Sequence, residues 1–168
     1  MTMWNPFCEA EIEVLWDVND CPIPYGHLDT TDVKCNIIRA LQSKGYHGLL
    51  TITAFGDLDL VGSDFNGFCI FPTGANDLSS RKMILLDFLS CSLSYGSKPK
   101  VVLLIVGDIS RHKGFKRAID VWNSNRLGVV LLAQPQKASQ EVHDAVSTEW
   151  LWEKLATASQ SPQRLYME

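Results

Sequence analysis

The amino-acid sequence predicts a single α/β domain with a mostly parallel central sheet and helices on both faces of that sheet. Short apolar runs alternate along the chain with segments of helical period, which is the pattern of strands joined by crossover helices. The run at 101–106 (VVLLIV) contains no polar residue, as expected of a parallel strand that is covered on both faces. With 168 residues and a hydrophobic content of 46%, the chain has the size and apolar content of one domain.

The strands are predicted where apolar and β-branched residues cluster, at 12–16, 49–55, 68–71, 101–106 and 128–133. Helices are predicted where apolar residues recur every three or four positions, at 31–44 and at 112–124, with another that begins at about 76–79 and carries apolar residues as far as Leu89. The tail from 137 to 158 is expected to form a short helix, a strand around Trp150 and Trp152, and a final helix. We expect these two indoles to lie in the core rather than to stack on nucleic-acid bases.

Helix starts are predicted from residues whose side chains can accept a hydrogen bond from the first turn. Thr30 or Thr31 is expected to cap the first helix. Asn76, Asp77 or Ser79 is expected to cap the second helix.

Composition limits the kind of protein this can be. The formal net charge of −4 argues against a protein that coats nucleic acid without selectivity, although it allows a local basic groove. The five cysteines are widely spaced and include no C-x-x-C pair, which excludes a recognisable disulfide framework or zinc site and fits a reducing compartment. We expect them to be small buried apolar residues.

No sorting signal is apparent in the sequence. The first residues have neither a basic segment nor an apolar core of a signal peptide, and no apolar run reaches the roughly 18 residues of a membrane span. We therefore expect an intracellular protein, in the cytoplasm or an organelle interior, without a membrane partner. Motifs for acyl transfer and for binding of nucleoside triphosphates are also absent from the sequence.

Three predicted strands are followed by an aspartate, namely Asp17, Asp57 and Asp108. Parallel strands end at the same edge of a sheet, where ligands bind in open α/β folds. Carboxylates gathered there repel one another unless a hard cation lies among them, and Mg²⁺ or Mn²⁺ suits oxygen ligands best. The alternative is that aspartate simply ends these strands, since it is a common turn residue.

A further acid, Asp20, follows Asp17 by three residues. Pro22 and Pro24 stiffen the turn, so the Asp20 side chain could point back toward the same edge. Alternatively, Asp20 is only a turn former. The residues leave both interpretations open.

A basic run follows Asp108 and carries five basic side chains, Arg111, His112, Lys113, Lys116 and Arg117. It lies at the start of a predicted helix, where positive charge opposes the helix dipole at a cost of roughly 0.3–1 kcal/mol per group. A phosphate backbone passing this edge would offset that cost. The run is therefore a candidate RNA-binding surface, and the alternative is a solvated charged face.

Several motifs together resemble the NYN domain of the limkain type, particularly its plant branch, within the PIN-like ribonuclease superfamily. They are VLWDVNDCPIP at 14–24, AFGD at 54–57, PTG at 72–74 before the Asp77 helix, VGD at 106–108, LLAQPQKAS at 131–139 and WLW at 150–152. The similarity spans about residues 12–155. It implies a PIN-like fold and a metal-dependent endoribonuclease that acts on single-stranded RNA, in RNA processing or decay. Limkain-type proteins are linked with peroxisomes, so the resemblance also implies that organelle as one location.

The chain departs from the family pattern at three places. Asn19-Asp20 inverts the usual Glu-Asn pair, Ser80 stands where a second helix acid is expected, and an insertion replaces the aspartate that usually follows Asp108. Asp17 and Asp108 match the family and are the expected metal ligands and catalytic residues. Asp20 and Asp77 are expected to assist in both roles, and Asp57 as a metal ligand.

Two functions therefore remain open from the sequence. The first is an Mg²⁺- or Mn²⁺-dependent endoribonuclease. The second is a catalytically weakened NYN module that binds RNA or a protein partner without cleavage. A homodimer is also left open.

Overall fold

The computed structural model describes residues 5–57, 65, 67–74, 77–93 and 98–157. Strands and helices alternate along the described chain in the order β1 (Glu11–Asp17), α1 (Thr30–Ser43), β2 (Leu50–Gly56), β3 (Cys69–Pro72), α2 (Asp77–Leu93), β4 (Lys100–Ile105), α3 (Lys113–Ser124), β5 (Gly128–Gln134), α4 (Gln140–Ala145), β6 (Thr148–Leu151) and α5 (Trp152–Thr157). Each predicted element is present and most bounds agree within two residues, although α2 continues to Leu93, beyond Leu89. Asn76, one of the expected caps of α2, lies outside the described residues.

The six strands form one sheet in the order β3-β2-β1-β4-β5-β6, and every neighbouring pair is parallel. The predicted α/β class is confirmed, and the sheet is parallel throughout the described strands rather than mostly so. The chain winds outward from β1 in one direction and from β4 in the other. A topological switch point therefore lies between β1 and β4, where open parallel sheets bind ligands at the carboxyl ends of their strands. We call this side of the sheet the carboxyl edge.

The central strand β4 is buried on both faces. Val101, Leu103 and Ile105 belong to a core that α1 and α5 cover. Val102 and Leu104 belong to a second core that α2, α3 and α4 cover. The uninterrupted apolar run thus supplies side chains to two hydrophobic cores, one on each face of the sheet, as predicted.

The cap of α1 differs from the prediction. Asp29, not Thr30 or Thr31, is the N-cap, and its side chain accepts a hydrogen bond from the Asp32 backbone at 2.8 Å. The Asp32 carboxylate in turn accepts from the Asp29 backbone at 3.0 Å. Because this reciprocal capping box satisfies two backbone N–H groups, Asp29 is preferred and Thr30 becomes the buried first residue of the helix.

The expected core position of the carboxyl-terminal indoles is confirmed. Trp152 is almost fully buried, and Trp150 packs against the same core while half-buried. For the cysteines the expectation is confirmed only at Cys21, which is buried; Cys8 and Cys91 are half-buried, Cys35 and Cys69 are exposed, and none of the five forms a disulfide bond. Within the described part of the chain, no helix has the length and apolarity needed to cross a bilayer.

Candidate functional site

Asp17 lies at the carboxyl end of β1, beside the switch point, and its side chain is fully buried. One carboxylate oxygen accepts hydrogen bonds from the backbone N–H groups of Asn19 at 3.0 Å and Asp20 at 3.2 Å. The Ser80 hydroxyl on the first turn of α2 donates to the same carboxylate. The pKa of Asp17 is raised to about 6, chiefly by burial and then by the nearby Asp20 carboxylate, against the lowering effect of these hydrogen bonds.

Asp20 points back to the carboxyl edge and lies between the ends of β1 and β4. Its Oδ2 atom is 2.7 Å from Nη2 of Arg81, and the side chains are 16% and 25% exposed respectively. Both groups press against Gly107 just after β4, where an added Cβ atom would be 2.5 Å from Asp20 Oδ2 and 2.8 Å from Arg81 Nη2. Glycine at 107 therefore gives the ion pair its space.

Arg81 is the main residue of this site that sequence reasoning missed. It follows Ser80 on α2, so the same helical turn that covers Asp17 also delivers a guanidinium group to Asp20. Its Nε atom is buried without a hydrogen-bond partner among the described residues. The signal that could have found it is a basic residue directly after Ser80 at the start of a predicted helix.

Of the remaining predicted acids, Asp57 and Asp108 have side chains that the structure describes, and neither completes a group of three that could hold a metal ion with Asp17 and Asp20. Asp108 follows β4 at the same edge, but its side chain is exposed and accepts a hydrogen bond from the Ser110 backbone at 2.9 Å. Hydrogen bonds from the Ser110 hydroxyl and backbone hold the pKa of Asp108 below its usual value. Asp57 is half-buried at the end of β2. Asp77 is the first residue of α2, and its side chain lies outside the described residues.

Two polar side chains that were not among the predicted site residues hold the loops at this edge. Asn19 accepts a hydrogen bond from the Asp57 backbone at 2.9 Å and donates to the Gly74 carbonyl at 3.4 Å, so it joins the loops that follow β1, β2 and β3. Gln134, fully buried at the end of β5, accepts from the Ile109 backbone at 3.1 Å and fixes the loop after β4.

The side chains that the structure describes at this edge fit a divalent cation poorly. Among the side chains that the structure describes, no group of three or more histidines, cysteines, aspartates or glutamates is arranged to hold a metal ion. Asp17 accepts three hydrogen bonds at close range, and Asp20 already faces a positive charge at 2.7 Å. A cation that requires several free carboxylate oxygens would have to compete with these hydrogen bonds and with Arg81.

The basic run is mostly on the surface, directly after the carboxyl edge. Arg111, Lys113 and Arg117 are exposed. Lys116 pairs with Glu141 on α4 at 2.9 Å. His112 caps α3, because its Nδ1 atom accepts a hydrogen bond from the Phe115 backbone at 3.2 Å. Three of the five predicted RNA-binding side chains therefore project as cations, while the other two have structural partners.

No protein-family model matches this chain, and no curated protein shows significant similarity to it.

Proposed function

We propose that this chain is an NYN-type, PIN-like domain that binds single-stranded RNA across its carboxyl edge without metal-dependent cleavage. The Asp20–Arg81 ion pair is the observation that carries the proposal. Its guanidinium neutralises one of the two acids that meet at the switch point. Arginine suits this role because its charge is permanent and its planar group packs beside a carboxylate. The carboxyl edge therefore contains the permanent positive charge of Arg81 in place of an exchangeable metal ion.

Binding of RNA at this edge is supported by the position of the free positive charge. Arg111, Lys113 and Arg117 follow β4 at the start of α3, where cations oppose the helix dipole. A phosphate backbone would interact favourably with these side chains and with the positive end of the helix. The paired state of Asp20 reduces the repulsion that an open acid cluster would exert on the same phosphates.

Binding and cleavage can be measured in one experiment with a fluorescent single-stranded RNA. We expect anisotropy to rise with protein concentration, equally in Mn²⁺ and in EDTA, and the RNA to remain intact on a denaturing gel. The affinity should fall steeply with salt because each phosphate contact releases counterions. Absence of binding at low salt would overturn the proposal.

The second candidate is the metal-dependent endoribonuclease that the family resemblance implies. The observation in its favour is that Asp17, Asp57 and Asp108 all lie at or shortly after the ends of adjacent parallel strands, at one edge of the sheet. Cleavage by the unmodified protein that requires Mn²⁺ and stops in EDTA would make this the function instead. It would also require Arg81 to leave Asp20 when the cation binds.

A further inference from the structure

The segment between β1 and α1 carries two aromatic rings on the protein surface. The rings of Tyr25 and His27 are stacked, with centroids 5.6 Å apart and planes inclined by 9°. Tyr25 is 44% exposed, and His27 is exposed as well. The pair presents a flat aromatic surface to solvent.

This segment is anchored at three points. The Trp16 indole donates to the Cys21 carbonyl at 2.8 Å, and the Trp152 indole donates to the Pro22 carbonyl at 2.8 Å. The Tyr25 hydroxyl donates to the Glu153 carboxylate. Because its backbone and the phenol are both held, the segment keeps its rings in place and would lose little conformational freedom on binding a ligand.

The stacked pair lies at the carboxyl edge of the sheet, as the candidate site does. The segment starts at the carboxyl end of β1, and its partner Glu153 is in the first turn of α5, directly after the carboxyl end of β6. The basic run starts after β4, which lies between these two strands. A strand of RNA crossing the carboxyl edge could therefore meet cations and aromatic rings along one path.

We propose that an unpaired base of single-stranded RNA stacks on the Tyr25–His27 pair while Arg111, Lys113 and Arg117 hold its phosphates. This inference rests on the proposed function. Aromatic side chains bind bases through their flat faces with little sequence preference, because every base offers such a face. The Tyr25 hydroxyl is occupied by Glu153, so recognition here is by stacking rather than by reading of base edges.

The test compares two fluorescent oligonucleotides of equal length and charge, one of adenylates and one with abasic sites throughout. We expect the unmodified protein to bind the adenylate strand about tenfold more tightly. Tyr25→Ala with His27→Ala should remove this preference and leave the affinity for the abasic strand unchanged. Retained abasic binding also shows that the variant is folded.

Two further variants separate ring stacking from a structural role. Tyr25→Phe keeps the ring without the hydroxyl and should retain most of the preference for bases. Leu49→Ala removes a side chain that is 78% exposed just before β2, at the opposite edge, and should change neither affinity. A Tyr25→Phe variant as weak as the double alanine variant would overturn the stacking inference.

The outcomes also separate this inference from the function on which it rests. Equal affinity of the unmodified protein for both strands would overturn stacking while RNA binding stands. Failure to bind either strand would overturn both.

Discussion

The hydroxyl oxygen of Ser80 lies 3.2 Å from Oδ2 and 3.3 Å from Oδ1 of Asp17, and both residues are fully buried. A helix that starts next to the carboxyl edge thus places a neutral hydroxyl where the resemblance to NYN domains predicts an acid. The consequence is a site with one fewer negative charge, in which Asp17 is satisfied by hydrogen bonds. We therefore expect the residue at position 80 to influence how strongly the edge attracts a cation.

Ser80→Asp should raise the affinity for Mn²⁺ and create cleavage of single-stranded RNA that stops in EDTA. Without metal, the second carboxylate would repel Asp17 in a buried place and lower the free energy of unfolding by about 3 kcal/mol. Thermal unfolding with and without Mn²⁺ measures both effects. Asp17→Asn in the Ser80→Asp background should abolish the gain, since an amide cannot supply the missing charge.

Ser79→Asp is the matched control for this change, because it adds the same charge one position earlier and about 100° around the helix. It should leave Mn²⁺ affinity near that of the unmodified protein. If Ser80→Asp binds no Mn²⁺, the carboxyl edge is not a remnant of a metal site.

Arg81→Ala should leave Asp20 without its partner and destabilise the protein by about 1–2 kcal/mol in EDTA. The estimate is modest because both side chains are partly exposed, which weakens an ion pair. Mn²⁺ should raise the melting temperature of Arg81→Ala more than that of the unmodified protein, since the cation can replace the lost charge. Arg81→Lys keeps the charge and is the control. Equal stability of Arg81→Ala and the unmodified protein in EDTA would contradict the assigned role of the pair.

Asp17 should make the folded state less stable as the pH rises from about 4 to about 6. Its pKa is raised from 3.8 to about 6, chiefly by burial, so in this window the folded state holds a proton that the unfolded state has released. The contribution of Asp17 to the free energy of unfolding is complete below pH 3.8. It is lost as the pH rises through about 6, a change of roughly 2–3 kcal/mol. Urea unfolding at several pH values should show this decline in the unmodified protein relative to Asp17→Asn.

Asp108 should change the stability of the protein with pH in the opposite direction to Asp17. The pKa of Asp108 is lowered in the folded protein, so its contribution to stability is present above its ordinary pKa and is lost as the pH falls. The unmodified protein should therefore lose stability relative to Asp108→Asn on acidification.

A pH-independent difference between the unmodified protein and Asp17→Asn would show that Asp17 is not the buried acid described here.

Lys113→Ala with Arg117→Ala should weaken RNA binding at low salt and flatten its dependence on salt. Each phosphate contact that is lost reduces the slope of log affinity against log salt by about one. Lys116→Ala should have a smaller effect, because the Lys116 ammonium already pairs with Glu141 at 2.9 Å. The measurement is a set of anisotropy titrations between about 50 and 200 mM salt. An unchanged slope in the double variant would mean that the run is only a solvated face.

The fold could be predicted largely from the sequence because hydrophobic periodicity is a local property of the chain. The run at 101–106 predicted a strand covered on both faces, and Leu103 and Leu104 do face different cores. The sequence also contains the signal for the cap of α1, because Asp29 and Asp32 have the three-residue spacing of a capping box. The neighbouring threonines are good caps as well, which is why the predicted cap is displaced by one or two residues.

The sequence by itself predicted that Asp17, Asp57 and Asp108 reach one edge, because each lies at or shortly after the end of a strand and the alternation of strands and helices predicts a mostly parallel sheet. Only the tertiary structure decided where the acids point and which groups face them. Asp17 meets Ser80 across 63 positions of the chain, and Asp20 meets Arg81 across 61. Asp108 instead turns to Ser110 in its own loop. The order of residues sets the end of the sheet at which a side chain emerges, but its rotamer and partners depend on the helix packed above it.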